Sequence, residues 1–195
     1  APATASYRSL LAGFGDVLAG QCFGHTHAGE ARAPAEVGAA GAPLLSQGSV
    51  VPTGKDGADF SNPTFSVVAY AAQPPPRPAV AIVDTAVWAA DLGGARRGGC
   101  ARWTPLLPSL RAALVLPGLS NADVAALGAA MPTDDARWRA YRRWYKAGVP
   151  QVACEGGCRA AQACLVRFPL SAEQFAACVD DGPPRAYNSA FGQRP

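Results

Sequence analysis

Four cysteines, Cys154, Cys158, Cys164 and Cys178, stand within 25 residues in the pattern C-x3-C-x5-C-x13-C. So dense a set constrains the local fold before any core is considered, because it closes either as disulfides or as a thiolate metal site. An even, clustered set points to disulfides and an oxidising compartment. The competing zinc site fits the spacing less well, since zinc knuckles favour C-x2-C pairs and C-x3-C lies at the edge of the usual range. The other two cysteines, Cys22 and Cys100, are able to pair, although nothing else in the sequence requires it.

Covalent staples suit this chain because large aliphatic side chains are scarce. Apolar types make up 49% of the 195 residues, but 42 residues are Ala, and Leu, Val, Ile and Phe together number only 38. Low hydrophobicity predicts disorder only when joined to high net charge, and the net charge is +3. The expectation is a folded, Ala-padded globule with long loops, since 39 residues are Gly or Pro. Of the 17 basic residues 15 are Arg, an excess that GC-rich coding produces by itself and that carries little functional weight. A charge of +3 is too small to argue for nucleic acid. No apolar run is long enough for a membrane-spanning helix. The chain begins Ala1-Pro2-Ala3-Thr4, with neither an initiator Met nor a signal-like segment, as expected of a processed product or a piece of something longer.

Tyr7, Leu10, Leu11 and Phe14 share one helical face and predict a helix over 6–15, with Ser6 as N-cap and Gly13 and Gly15 as the stop. Residues 16–23 predict a short buried strand running into Gly24-His25-Thr26-His27. Residues 28–43 are too rich in Ala, Gly and Pro to assign. Strands are expected at 44–51, 64–70 and 79–84, separated by a Gly/Asp/Asn/Pro loop at 52–63 and a stiff Pro-rich hinge at 73–78. The second half is helical. Ser120-Asn121-Ala122-Asp123 resembles a capping box, opening a helix that carries Val124, Leu127 and Met131 and ends at Pro132. Thr133 is expected to cap the next helix, with Asp134 and Asp135 at its positive end. That helix presents Trp138, Tyr141 and Tyr145 at helical spacing, carries Arg142, Arg143 and Lys146 near its end, and stops at Gly148 and Pro150. The aromatic stripe could stack bases or sugars, but a face packed on a core short of aliphatics is the simpler reading. Short helices are expected at 159–166 and 172–178.

The chemistry concentrates in Gly24-His25-Thr26-His27, which holds the only two histidines of the chain. In an extended or turning segment, residues i and i+2 point to one side. Two imidazoles then reach two metal ions about 3.5–4 Å apart, the separation found in two-metal hydrolases. Gly24 permits a tight bend, and Glu30 is a candidate partner for an imidazole N–H. Two ordinary surface histidines are the bland alternative. Two imidazoles cannot form a tight site alone, because zinc sites take three or four protein ligands.

Gly-His-Thr-His resembles the last metal-ligand motif of calcineurin-like metallophosphoesterases, and the chain from there to the C-terminus is similar to the acid sphingomyelinase-like branch. The stretches that look alike, in order, are Tyr7-Arg8-Ser9-Leu10, the histidine motif, Ser49-Val50-Val51-Pro52, Asn62-Pro63-Thr64-Phe65, Val83-Asp84-Thr85 with Trp88, Leu119-Ser120-Asn121-Ala122-Asp123, residues 141–148 and the cysteine tail. The sequence departs from that pattern at Ala28-Gly29-Glu30-Ala31, where an acidic and aromatic stretch is usual, and at Thr53, where an aromatic often stands.

The resemblance implies an α+β chain: the C-terminal strands of a metallophosphoesterase β-sandwich core over 1–95, then a small disulfide-bonded helical subdomain over 96–195. It implies a dizinc or other two-divalent-ion site in which His25 and His27 are ligands, one to each metal. The remaining ligands and the catalytic acid histidine belong to upstream motifs that this sequence does not contain, so the chain alone is expected to be inactive. The implied reaction is hydrolysis of a phosphodiester such as sphingomyelin, giving ceramide and phosphocholine. The alternative is a non-catalytic structural or binding module derived from such an enzyme. Implied partners are the sphingolipid or phosphodiester substrate and the missing N-terminal part of the catalytic domain. The implied location is secreted or lysosomal. The spacing resemblance also implies the bonds Cys154–Cys158 and Cys164–Cys178. Glu155-Gly156-Gly157 turns sharply enough for the first, and a turn at Phe168-Pro169 allows antiparallel helices to bring the second pair together.

Overall fold

The computed structural model describes residues 2–51, 61–72, 80–93, 100–149 and 153–180. The chain runs α1 (Pro2–Phe14), β1 (Gln21–Phe23), β2 (Glu30–Arg32), a 3-10 turn (Ala35–Val37), β3 (Leu44–Ser46), β4 (Thr64–Ala72), β5 (Val80–Ala90), β6 (Trp103–Leu107), α2 (Leu110–Ala113), α3 (Asn121–Ala130), α4 (Asp135–Tyr145), α5 (Gly157–Arg167) and α6 (Ala172–Asp180). Among the described residues it is a mixed α+β fold, with one helix, then the strands and then five further helices, and with two three-stranded sheets ordered β1-β3-β2 and β4-β5-β6. Most of the expected Gly/Asp loop, including Thr53, the Pro-rich hinge and Pro150 lie outside the described residues.

The first sheet is small and mixed. β1 runs parallel to β3, with Gln21 beside Leu44 and Phe23 beside Ser46. β2 runs antiparallel to β3 on its other side, with Glu30 beside Ser46. The strand expected over 16–23 is shorter than predicted, because residues 15–17 turn to close α1 and the Val17 N–H bonds to the Phe14 carbonyl at 3.1 Å. The strand expected over 44–51 likewise stops at Ser46. α1 begins at Pro2, so Ser6 and Gly13 lie inside it and do not bound it. Proline is tolerated in a first turn, and Ala3 and Ala5 are strong helix formers. Of the expected apolar face only Leu11 is buried, while Leu10 and Phe14 are exposed.

The second sheet is an antiparallel meander. β5 spans Val80–Ala90, well past the expected stop at 84. β6 is absent from the sequence expectations because Pro105 sits within it. As an edge strand it tolerates the missing N–H, and its register with β5 slips beside that proline, between Val87 and Trp88.

Helix ends follow their caps. Ser120 and Asp123 form a reciprocal capping box at α3. α4 is capped by Asp134, whose side chain accepts from the Arg137 N–H, and not by Thr133 as expected. The Thr133 hydroxyl is turned back to the Ala130 carbonyl at 3.4 Å. Of the expected aromatic stripe of α4, Trp138 and Tyr141 are buried and Tyr145 is half-buried against the same core, while Trp144, outside that stripe, is the third buried ring. One apolar cluster joins strand residues Ala31, Leu45, Ile82 and Val87 to helical residues Leu110, Leu127, Trp138, Tyr141 and Val166. The core is therefore continuous across residue 95.

The cysteine tail carries two disulfides. Cys154 and Cys158 are joined with Cα atoms 5.2 Å apart, and Cys164 and Cys178 with Cα atoms 5.8 Å apart, within normal reach. No thiolate of that cluster is left for zinc. Cys22 and Cys100 are free and exposed, not bonded to each other. Among the described residues no helix is long and apolar enough to cross a membrane.

Candidate functional site

β3 is the middle strand of the first sheet, and Ser46 at its end stands between Phe23 and Glu30. Residues 24–29 must therefore cross the carboxyl end of β3 to reach β2 from β1. His25 and His27 ride on that crossing and are exposed. The Thr26 hydroxyl shares a hydrogen bond of 3.1 Å with the Ser46 hydroxyl, tying the crossing to β3. The Gln47 N–H bonds to the Phe23 carbonyl at 2.8 Å and extends the parallel pairing one residue further. Beyond the carboxyl ends of parallel strands is where ligands sit in open α/β sheets.

Both histidines have left-handed backbones, with φ of 78° at His25 and 58° at His27. Residues with a Cβ adopt this region only when their surroundings over-determine it, at a cost of about 1–3 kcal/mol each. The next three residues, Ala28, Gly29 and Glu30, are all buried. A Cβ on Gly29 would lie 2.3 Å from Nε1 of Trp144 and 2.5 Å from its Cδ1, so only glycine fits under that indole.

Glu30 does not reach an imidazole. Its carboxylate, 3% exposed, accepts from Nε of Arg32 at 2.9 Å and from the same guanidinium's Nη2. This ion pair lies near the fully buried Tyr141. Burial first, and then the Glu30 and Tyr145 charges, push the Tyr141 hydroxyl well above its ordinary pKa.

The described residues offer no complete metal site. No three His, Cys, Asp or Glu side chains among them gather closely enough to hold an ion. Two exposed imidazoles fit the role of contributed ligands, but not of a complete site. The Gln47 side-chain amide, next to Ser46 in sequence, is enclosed with neither its oxygen nor its nitrogen hydrogen-bonded. Nothing in the sequence marks Gln47. The packing of Trp144 on Gly29 was also not legible, although Trp144 lies three residues after Tyr141 on the aromatic face.

Several residues that carry the family resemblance join elements together. Asn62 donates to the Ala147 carbonyl at 3.1 Å and accepts from the Leu92 N–H at 3.2 Å. Asn121 donates to the Pro34 and Gly38 carbonyls at 2.9 and 3.0 Å. Asp84 accepts from the Ser109 hydroxyl and from the Thr85 and Arg111 N–H groups. Partial burial pushes the Asp84 carboxyl up, but these bonds and the Arg111 charge outweigh it and hold the pKa below the ordinary value. A cleft of about 530 Å³ opens at the opposite, amino end of the β1–β3 pair, between Ala19, Ala42, Ile82 and Leu119, with neither histidine on its wall.

Comparison with known protein families and with curated proteins finds no match to this chain.

Proposed function

We propose that this chain is the C-terminal part of a metal-dependent phosphodiesterase, to which it contributes two imidazole ligands. Within that class the resemblance favours the acid sphingomyelinase type, acting on sphingomyelin or a related phosphodiester. The observation that carries the reading is the crossing at residues 24–29: the chain's only two histidines are presented together, exposed and on constrained backbone, beyond the carboxyl ends of a parallel strand pair. Two divalent ions of zinc type, when bound, would activate the attacking water and stabilise charge on the phosphate oxygens.

This chain's own residues have narrower tasks. His25 and His27 offer ring nitrogens as ligands, and Thr26 anchors the crossing to Ser46. The other ligands and the proton donor to the leaving group come from outside this chain. The two disulfides fit an oxidising compartment, and a secreted or lysosomal setting follows from the proposed family.

The second reading is a non-catalytic structural or binding module, with which two exposed histidines and no third ligand among the described residues are equally compatible. One experiment separates the two. The complete gene product should hydrolyse a chromogenic phosphodiester in a metal-dependent way, and His25→Ala or His27→Ala should nearly abolish turnover. Full activity in both variants removes the ligand assignment. No turnover by the intact product supports the module.

A further inference from the structure

We infer that Trp144 is the positioning residue for the two histidines: its indole, seated where a Cβ on Gly29 would stand, fixes the crossing from β1 to β2 and with it the left-handed backbone that presents His25 and His27. The positional statement stands on the geometry alone, and its consequence for metal binding rests on the proposed ligand role.

Several observations converge. Trp144 is 2% exposed, so its ring has little freedom. Its neighbour on the helix face, Tyr141, is 1% exposed and meets it edge-on, with centroids 6.1 Å apart and planes at 88°. Just past the end of α4, the Ala147 carbonyl is held by the Asn62 side chain, which fixes that end of the helix against the start of β4. The far end of β2 is pinned as well, by the Ala33 N–H bonding to the Val166 carbonyl of α5 at 2.7 Å. Between these anchors the chain passes against the indole at Gly29. The pyrrole side of Trp144 lies within 2.3–2.8 Å of the place a Cβ on Gly29 would take. His27 is two residues upstream, and its φ of 58° is the kind of conformation that persists only when its surroundings dictate it. The helical half of the chain would thus act on the site without touching it, as groups behind metal ligands do elsewhere.

The test uses the full 195-residue chain, isotopically labelled for NMR; its two histidines give the only imidazole signals. Gly29→Ala should shift both imidazole signals and weaken Zn²⁺ binding by the pair about tenfold, the lower end of the loss seen when groups behind metal ligands are removed. Trp144→Phe removes the clashing pyrrole edge, so the double variant should recover most of the shift and of the affinity. Gly13→Ala, whose Cβ would meet nothing within 4 Å, should change neither. If Gly29→Ala does not fold, Trp144→Phe alone decides: backbone order at Thr26 and His27 should fall. Unchanged imidazole signals in Gly29→Ala, a shift that Trp144→Phe fails to reverse, or unchanged order at Thr26 and His27 would overturn the inference. Absence of Zn²⁺ binding in the unaltered chain, with the shifts as expected, would leave Trp144 as the positioning residue. Loss or retention of turnover in His25→Ala and His27→Ala of the complete gene product then decides the ligand reading.

Discussion

At the scale of single residues, the polar side chains that matter most are those joining elements. Arg159 is 7% exposed and donates from Nε to the Met131 carbonyl and from Nη1 to Asp135, both at 2.6 Å, with its guanidinium 5.5 Å over the Trp138 ring. Asp135 is exposed, and its hydrogen bond to Arg159, followed by the Arg159 charge, holds its carboxyl below the ordinary value. Arg159→Met should fill similar volume, leave the carbonyl at the end of α3 without its donor, and cost about 2–3 kcal/mol. A urea midpoint equal to the parent's would contradict that. Asp84 gives a pH-dependent case. Its folded pKa is depressed, so its contribution is present above the unfolded value of about 3.9 and is lost as pH falls through the lower folded value. Asp84→Asn should therefore be less stable than the parent at neutral pH, with the difference shrinking in acid. A difference that stays constant between pH 7 and pH 3, measured by chemical denaturation, would show that the charge is not what stabilises.

At the scale of elements, caps and staples decide which segments hold. Ser120→Ala removes one arm of the α3 capping box and should cost about 1 kcal/mol, with the loss seen as earlier amide exchange in the first turn of α3. α6 has no buried residue and is held to α5 by Cys164–Cys178, a separation of 14 residues. A loop of that size is worth up to about 3 kcal/mol in the chain-entropy model. Replacing both cysteines by Ala should free α6 first, so that its amides lose protection while those of α3 and α4 keep theirs. Simultaneous loss in all three helices would mean that the disulfide supports the whole fold and not one helix.

At the scale of the whole molecule, one apolar cluster draws residues from both sides of position 95, where the family resemblance places the start of the helical subdomain. Ile82 and Val87 of β5 share one cluster with Leu110, Leu127 and Tyr141. The helices and the β5 centre should then open together: slowest-exchanging amides in both should report the same free energy in native-state hydrogen exchange. Two distinct free energies would show that the two parts unfold as separate units. The same continuity explains how the helical half reaches the histidine crossing, since α3, α4 and α5 all pack on β2, the strand into which that crossing runs.

The sequence alone determined whatever rests on neighbours along the chain. The Ser120 and Asp123 box lies within one turn, the Trp138 and Tyr141 face repeats with the helical period, and the clustering of Cys154 to Cys178 favours local closure. It also singled out His25 and His27, because no other imidazoles exist in the chain. Tertiary structure decided the rest. β2 is three residues long and has no pattern of its own; it is a strand because β3 offers it an edge. β6 survives Pro105 because it needs hydrogen bonds on one side only. Glu30 turned to Arg32 because a buried carboxylate requires a cationic partner there. The left-handed backbone at His25 and His27, and the indole over Gly29, come from contacts more than a hundred residues apart in sequence. Local propensity carries no information about such contacts, so only the packed fold could set the geometry in which the two imidazoles are held.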